Sequence, residues 1–519
     1  MLTLNALIER QARERPKAPA LVFKGAVTTF AELEKQIERW AAALASRGVK
    51  AGDCFGLVMR NCPEFVITFF ALIRLGARAV PVNFLLKTDE ITYIFEDAGV
   101  VGVITQPPFL GHVLEARKKL GKLRDVVITG QRREKRDEGR EEIADTKVLY
   151  FEELMAAAGT LNSHPSSLDP DVIAMIIYTS GTTGKPKGAM LSQGNFIANA
   201  EQCIGMVSSL IRKDVFICLL PMFHSFAWTV CVIIPTYLGC KTVIVESIQP
   251  FGDVIKQIFK ERISIFVAVP PIYAALLRVP FWWPMRWINP LRLCISGAAA
   301  LPVPVHQKFE GKFGIPLMEG YGLTEASPVV TLNPEMKRLP GSIGKVLPGI
   351  ELRIINESGQ AVPAGEVGEI CIRGGNVMKG YFHQETATQE AFLDKEHQWL
   401  RSGDLGFIDP EDYVHISDRK KDLIIVKGLN VYPKEVEDVL LEHPAVQDAA
   451  VVGIQDETGD EIIRAYVTLK EGAQVDKQEL LKLCRTKLAT YKCPKDLEIR
   501  KELPKNTLGK ILKRELRKP

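Results

Sequence analysis

Residues 178–188 of this chain place glycine, hydroxyl and lysine side chains in one short run directly after an apolar stretch. The run reads Tyr-Thr-Ser-Gly-Thr-Thr-Gly-Lys-Pro-Lys-Gly, and the stretch before it, 172–177, is typical of a buried strand. Glycine lets successive backbone N–H groups point into one concavity, and the hydroxyls and lysines add donors and positive charge. The run therefore predicts a cradle for a polyphosphate group at the end of a strand.

Two other interpretations of this run are weaker. A Walker loop is excluded, because its pattern Gly-x-x-x-x-Gly-Lys-[Ser/Thr] cannot be laid on residues 181–188. A flexible, solvated surface loop rarely follows an apolar strand so directly and rarely carries hydroxyls together with lysines. We therefore favour phosphate binding.

Size and composition describe an ordinary globular protein. The chain has 519 residues, of which 46% are hydrophobic and 25% charged, so it can bury a large core and should hold more than one domain. The net charge of +4 implies no bulk attraction to nucleic acid. Ten cysteines occur without a Cys-x-x-Cys pair, which argues against a zinc site and a disulfide framework. The N-terminus shows no signal-peptide pattern, so we expect a cytoplasmic protein.

The 26 residues between Asp214 and Lys241 contain no Asp, Glu, Lys or Arg and resemble a membrane span in hydropathy. Pro221, His224 and Pro235 interrupt the stretch, and proline inside a helix breaks its hydrogen-bond ladder. We therefore predict a buried strand over 215–220, a functional turn and a buried helix instead.

The order of the predicted elements indicates an α/β fold. Up to about residue 349, amphipathic helices alternate with short apolar strands, which favours helices layered on mainly parallel sheets. Strands over 351–355 and 369–373, with a turn at 409–412, then predict a small antiparallel β subdomain. The charged run 131–147 is predicted to be a solvated loop.

Five stretches resemble, in the same order, the signature motifs of the adenylate-forming superfamily, which includes acyl-CoA synthetases, luciferases and peptide-synthetase adenylation domains. They are residues 178–188, 321–325, 402–406, 418–422 and 504–510. One such motif would be weak evidence, but five in order leave little room for another family. Residues 324–334 and 343–345 look closest to bacterial medium- and long-chain fatty acid–CoA ligases.

The resemblance also implies two domains that move. A large N-terminal domain of layered α/β subdomains, together with the β subdomain, spans 1–417, and a small, mobile α+β C-terminal domain spans 423–519. A hinge over 418–422, placed at Lys421, connects them. The loop around Gly428 is implied to contact coenzyme A.

The superfamily performs a two-step reaction, which implies ATP, Mg²⁺ and coenzyme A as cofactors. A carboxylate attacks the α-phosphate of ATP and gives an acyl-adenylate and pyrophosphate, and a thiol then attacks the acyl carbon and releases AMP. The first step needs anion donors at the leaving pyrophosphate, a divalent metal and a cation at the reacting oxygens. The implied donors are Thr179, Ser180, Gly181, Thr182, Thr183, Gly184 and Lys187.

Three residues are implied to act at the phosphates. Thr324 and Glu325 bind phosphate and magnesium, and a single carboxylate suits magnesium because this ion keeps several waters. Lys510 bridges the substrate carboxylate and the α-phosphate. Outside the motifs, a Thr-Glu pair is typical of a helix start and a lysine in a basic tail is a solvated charge. Asn506 stands where the family more often has Thr.

Two further stretches are implied to hold the nucleoside. A carboxylate can accept hydrogen bonds from both ribose hydroxyls, although an Asp between glycines is commonly a turn residue. Small residues after a strand let adenine pack on the backbone, and an aromatic ring covers its other face. The implied residues are Gly297, Ala298, Ala299, Tyr321, Gly322, Asp404 and Arg419.

His224 and Trp228 are the candidates for the acyl site. His224 resembles the histidine that lines this site, and Trp228 aligns with an indole that gates the acyl tunnel in some long-chain ligases; for both, core packing is the alternative. We predict an AMP-forming fatty acid–CoA ligase. A carrier protein-loading ligase, an aryl acid ligase and a nucleotide-binding pseudo-enzyme are the alternatives, and the joint presence of Lys510, Glu325 and Asp404 argues against the last.

The segment from Phe281 to Trp287 contains three of the six tryptophans, and Arg278 and Arg286 accompany them. Trp and Arg together suit a membrane interface. We hypothesise that this segment docks reversibly on lipid at the inner membrane face. Packing into the core or into a homodimer contact is left open as the alternative.

Overall fold

A computed structural model describes residues 2–130, 148–159, 169–179, 185–280, 288–426, 429–455, 461–506 and 509–517. Several predicted features therefore lie outside the described residues. They are the solvated loop 131–147, the middle of the phosphate loop (Ser180, Gly181, Thr182, Thr183 and Gly184), the Trp-rich segment 281–287 and Gly428.

Strands and helices alternate along most of the described chain. The strands are β1 Pro19–Phe23, β2 Ala26–Thr29, β3 Cys54–Val58, β4 Arg78–Pro81, β5 Val100–Thr105, β6 Asp125–Ile128, β7 Val148–Tyr150, β8 Ile173–Thr179, β9 Lys187–Ser192, β10 Val215–Cys218, β11 Lys241–Ile244, β12 Ile265–Ala268, β13 Leu293–Ser296, β14 Leu317–Gly322, β15 Val329–Leu332, β16 Lys345–Val346, β17 Ile350–Ile355, β18 Gly368–Gly374, β19 Leu400–Ile408, β20 Val414–Arg419, β21 Ile424–Val426, β22 Leu429–Val431, β23 Val446–Gln455, β24 Glu461–Leu469 and β25 Asp496–Arg500. The α-helices are Leu4–Glu14, Phe30–Ser46, Pro63–Arg74, Thr88–Ala98, Leu110–Lys119, Phe151–Ala157, Gln193–Met206, Ile234–Leu238, Phe251–Glu261, Pro270–Arg278, Val303–Phe313, Glu385–Ala391, Pro433–Leu441, Lys477–Lys487 and Lys513–Leu516. Single 3-10 turns are Pro107–Phe109, Thr324–Ala326, Lys420–Asp422 and Thr490–Lys492, and Ala227–Ile233 is π-helical.

Two large sheets, mainly parallel, carry the N-terminal domain. One has the order β7-β6-β5-β3-β4-β8-β9, with only the β8–β9 pairing antiparallel. The other has the order β16-β15-β14-β13-β12-β10-β11-β1-β2 and is parallel from β14 to β1. Central strands such as β3 and β12 are apolar and buried along their whole length, as expected where helices cover both faces. The predicted α/β class is confirmed.

Individual elements follow the sequence pattern closely. The helix Pro63–Arg74 is almost entirely buried and begins with proline in its first turn, where the missing N–H costs no hydrogen bond. The uncharged stretch before Lys241 forms β10, a turn, and the consecutive helical segments Ala227–Ile233 and Ile234–Leu238. Within the described residues, no helix combines the length and the apolar character that a membrane crossing requires.

The antiparallel subdomain consists of β17, β18, β19 and β20 in that order. The predicted turn at 409–412 joins the last two strands. The side chain of Asp409 accepts the backbone N–H groups of Glu411 and Tyr413 at 2.9 Å each, which explains why this sequence turns here.

The C-terminal part is α+β, as predicted, and has its own apolar core. Strand β24 pairs with β23 in the antiparallel sense and with β25 in the parallel sense, and the helices Pro433–Leu441 and Lys477–Lys487 accompany this sheet. The 3-10 turn Lys420–Asp422 lies between the two parts. All ten cysteines are free, and nine of them are buried.

Candidate functional site

The predicted site residues meet at one large cleft of about 2400 Å³ between the N-terminal sheets, the β subdomain and the C-terminal domain. The loops after β12, β13 and β14 line it, at the carboxyl ends of parallel strands, where open α/β sheets bind ligands. The predicted residues at its wall are Thr179, Lys187, His224, Gly297, Ala298, Ala299, Tyr321, Gly322, Thr324, Glu325, Asp404, Arg419, Lys421 and Lys510.

Asp404 is the centre of the predicted ribose site. It stands opposite Arg419 in the β19–β20 pairing, and Arg419 Nε lies 2.8 Å from Asp404 Oδ1. The hydroxyl of Tyr321 donates to Asp404 Oδ2 at 2.6 Å. Burial and the neighbouring Asp404 charge hold the pKa of Tyr321 well above its usual range. Each carboxylate oxygen has a second lone pair, so Asp404 can hold both partners and still accept from a ribose hydroxyl.

The predicted adenine wall follows β13, which ends at Ser296. A Cβ on Gly297 would lie 2.9 Å from the ring of Phe226, so a larger residue here would require that ring to shift. Ala298 has φ +68°, a left-handed conformation that alanine rarely adopts. The backbone therefore has a left-handed residue at the wall where the adenine ring is predicted to pack.

The predicted phosphate and metal residues sit on the 3-10 turn Thr324–Ala326, directly after β14. Glu325 Oε1 accepts hydrogen bonds from Thr179 Oγ1 at 3.2 Å and from the hydroxyl of Tyr381 at 2.9 Å. Gly322 has no room for a Cβ, which would lie 2.0 Å from the carbonyl oxygen of Pro328. A hard carboxylate beside hydroxyl groups fits magnesium, whose remaining ligands are phosphate oxygens and water.

Lys510 reaches the same cleft from the C-terminal domain. Burial, and then the charge of Arg419, lower the pKa of Lys510 to about 8. Gly509 beside it has φ +80°, and a Cβ there would meet Pro271 of the N-terminal domain at 3.0 Å. The structure therefore places Lys510 at the cleft wall, where it interacts with Arg419 and Asp404.

Lys421 lies in the turn between the two domains. Burial, and then Arg419, lower the pKa of its ammonium group. The next residue, Asp422, accepts from Arg517 Nη2 at 2.7 Å, so the end of the chain is tied to the turn. The hinge role stays a prediction.

On the acyl side, His224 lines the cleft and Trp228 lies behind it. Burial lowers the pKa of His224 to about 4, so its ring is neutral at physiological pH. Trp228 is fully buried, donates its indole N–H to the carbonyl of Met222 at 2.6 Å and packs against Phe69 with ring centroids 4.2 Å apart. In this conformation Trp228 is a core residue, and its tunnel-gate role stays a prediction.

Sequence analysis missed two residues at the cleft, Tyr381 and Glu319, and noted a third, Asn506, without giving it a role. Tyr381 contacts Glu325, and Asn506 holds the turn of Lys510. Glu319 is 4% exposed on β14; burial raises its pKa to about 7, although the Leu301 N–H bond and the charge of Lys434 lower it. An acidic residue inside an apolar strand and the unusual residue at position 506 were the available signals. Tyr381 had none.

Comparison with known proteins agrees with this geometry. The family model for AMP-binding enzymes matches residues 8–382, and the model for the AMP-binding enzyme C-terminal domain matches residues 435–510. A long-chain-fatty-acid–CoA ligase of Bacillus subtilis is 35% identical, over 99% of this chain and 94% of that protein. A feruloyl-CoA synthase of Amycolatopsis is 34% identical, over 98% and 97%.

Among solved structures, the o-succinylbenzoate coenzyme A synthetase of Bacillus subtilis in complex with ATP and magnesium ion is similar, with a TM-score of 0.84. The two chains are 30% identical, and the match covers 99% of each. Both family models match this chain, and its relatives align with it over nearly the full length. The predicted site residues also line a single cleft. The chain belongs to the AMP-binding enzyme family and is an adenylate-forming CoA ligase.

Proposed function

We propose that the protein activates a medium- or long-chain fatty acid with ATP and transfers the acyl group to coenzyme A, releasing AMP and pyrophosphate. The observation that carries the choice of acid is an apolar part of the cleft wall, formed by the helix Gln193–Met206, its end and the following helical segments. The side chains concerned are Cys203, Val207, Leu210, Val230 and Ile234. None of these five can pair with a polar tail group, whereas all can contact methylene groups.

In this proposal the chain's own residues divide the first half-reaction among them. Lys510 supplies positive charge where the acid's carboxylate meets the α-phosphate, and Lys187 and the hydroxyl of Thr324 stabilise the leaving pyrophosphate. Asp404 fixes the ribose. Magnesium, when bound at Glu325, neutralises charge on the phosphate oxygens. His224 remains neutral beside the acyl group and therefore does not compete with Lys510 for the carboxylate.

The second half-reaction requires coenzyme A to reach the acyl carbon. We propose that the C-terminal domain, 423–519, turns about 418–422 so that the loop around Gly428 replaces Lys510 at the cleft. This keeps the two steps at one small site.

A screen of pyrophosphate release over acids tests the choice of substrate. We expect octanoate or palmitate to give a higher kcat/KM than benzoate or ferulate, and coenzyme A to be the acceptor rather than a phosphopantetheinyl carrier protein. A preference for ferulate would instead support the aryl acid alternative. The similarity to a feruloyl-CoA synthase is the reason for including ferulate in the screen. Absence of pyrophosphate release with every acid would favour the nucleotide-binding pseudo-enzyme.

The proposal includes a cytoplasmic location with reversible contact to lipid. Ten free cysteines suit a reducing compartment. The Trp-rich segment 281–287 is the proposed contact. Trp282→Ser combined with Trp283→Ser should weaken binding to anionic vesicles while activity on a soluble short-chain acid persists. Unchanged vesicle binding would favour packing of these rings against protein instead.

A further inference from the structure

Residues 376–382, here called the strap, connect the two halves of the proposed phosphate site. On one side, the backbone N–H of Met378 donates to the carbonyl of Glu325 at 2.8 Å. On the other side, backbone hydrogen bonds of 2.8–3.0 Å join the strap to residues 188–190 of β9, the strand that leaves the phosphate loop. The strap therefore fixes the distance between the 3-10 turn Thr324–Ala326, which carries Glu325, and strand β9, which follows the phosphate loop.

Tyr381 is the strap residue whose side chain enters the cleft. Its hydroxyl donates to Glu325 Oε1 at 2.9 Å, and Thr179 donates to the same oxygen at 3.2 Å. Its ring lies under Lys187, whose Nζ is 5.3 Å from the ring centroid. One side chain thus contacts both the proposed metal ligand and a lysine of the proposed phosphate cradle.

The orientation of Tyr381 is set by the chain around it. Its backbone N–H donates to Thr388 Oγ1 at 2.8 Å. The preceding Gly380 has φ +122°, and a Cβ there would meet the Thr388 side chain at 2.8 Å. The hydroxyl donates its proton to Glu325 Oε1, because an ionised carboxylate oxygen can only accept. The hydroxyl is therefore a fixed donor aimed at Glu325.

We propose that Tyr381 is a positioning residue for magnesium: it holds Oε1 of Glu325, so that the other carboxylate oxygen, Oε2, would be the one to bind the ion. The inference rests on the proposed role of Glu325. A carboxylate fixed through one oxygen presents the other at a constant angle, and magnesium tolerates little deviation from octahedral geometry. The ring of Tyr381 also lies beneath Lys187, which would contact the phosphates in the proposed function.

The coupling between metal and nucleotide binding tests this role. Calorimetry would measure ATP binding to the full-length protein without acid substrate, once with Mg²⁺ and once with EDTA. Tyr381→Phe keeps the ring under Lys187 and removes only the hydroxyl. We expect affinity in EDTA to be unchanged and the gain from Mg²⁺ to fall by about threefold to tenfold, which corresponds to one hydrogen bond. The half-saturating Mg²⁺ concentration for adenylate formation should rise by the same factor.

A matched control is Tyr413→Phe. Tyr413 also donates its hydroxyl to a neighbour, the carbonyl of Lys337 at 2.6 Å, and its ring lies 4.9 Å from the Nζ of Lys345. This variant loses a comparable bond away from the cleft, so it reports what a structural hydroxyl does. We expect its Mg²⁺ dependence to match that of the wild type, even if its thermal midpoint falls.

Glu325→Gln separates this inference from the proposed function beneath it. If Mg²⁺ increases the ATP affinity of Glu325→Gln as much as that of the wild type, Glu325 does not bind the metal. The proposed role of Tyr381 is then also wrong. If Glu325→Gln loses the gain but Tyr381→Phe keeps it, the inference on Tyr381 alone is overturned. Loss in both variants, with Tyr413→Phe unaffected, supports the positioning role.

Discussion

The side-chain oxygen Oδ1 of Asn506 accepts the backbone N–H of Lys510 at 2.9 Å, and the backbone N–H of Asn506 donates to the carbonyl of Lys510 at 2.8 Å. A further bond, from the N–H of Gly509 to the carbonyl of Asn506, is 2.9 Å long. These bonds close the turn that presents Lys510 to the cleft. The residue that departs from the usual family motif is thus the one that fixes the proposed catalytic lysine.

Asn506→Ala should slow acyl-adenylate formation by about fivefold to tenfold, the effect of one lost hydrogen bond. The rate of thioester formation from supplied acyl-adenylate should stay the same, because Lys510 is needed only in the first step. Single-turnover assays of each half-reaction would measure this. Asn506→Asp is the control, since it keeps an acceptor of equal size; equal losses in the two variants would contradict a role through this bond.

Lys510→Ala should reduce adenylate formation by orders of magnitude and still allow thioester formation from supplied adenylate. The lysine supplies charge where negative charge develops at the α-phosphate, and the second step has no such demand. Pyrophosphate release measures the first step, and free thiol consumption measures the second. A normal rate of adenylate formation would show that the assignment of Lys510 is wrong.

The first half-reaction should also lose rate as pH rises through about 8. Burial, and then Arg419, lower the pKa of Lys510 to about 8, so its ammonium is charged below that pH and neutral above it. The pH profile of kcat/KM for ATP reports groups of the free enzyme. In Lys510→Arg the guanidinium stays charged, so the decline near pH 8 should disappear even though the rate is lower. A decline that persists at the same pH belongs to another group.

Sequence reasoning reached the elements and the motifs because both are local. Apolar runs such as 172–177 become strands wherever two helical layers cover them, and the Asp409 turn carries its own hydrogen-bond chemistry. The pairing of Asp404 with Arg419 depends on the register of β19 and β20, which no short pattern specifies. Only the structure shows that Arg419 and Tyr321 both bind the carboxylate of Asp404.

The parts that could not be predicted are contacts between distant segments. Tyr381 donates to Glu325 across 56 positions of sequence, and neither residue signals the other. Glu319 is an acid on an apolar strand, which suggests a buried role but not its partner, the N–H of Leu301. An uncharged run likewise cannot distinguish an indole in a tunnel from one in the core, because both environments are apolar.

Lys421→Pro should impair one half-reaction more than the other. Proline fixes φ, and a hinge residue must change its backbone angles when the domain turns. Separate single-turnover rates for adenylate formation and thioester formation would show the imbalance. Lys421→Ala removes the side chain but leaves the backbone free, so it controls for the loss of the ammonium group. Equal loss of both steps in the proline variant, or no loss, would count against a hinge at this residue.

Trp228→Phe should lower the thermal midpoint and leave the preference for chain length unchanged. The variant keeps a ring against Phe69 but loses the indole N–H that satisfies the carbonyl of Met222, and an unsatisfied buried acceptor costs about 1–3 kcal/mol. Trp228→Ala, which also leaves a cavity, should cost about 3–5 kcal/mol of the free energy of unfolding. Thermal unfolding and the ratio of kcat/KM for palmitate and octanoate would be measured together. A changed ratio at an unchanged midpoint would instead establish the tunnel gate, because a residue that only packs the core cannot select among chains that it does not touch.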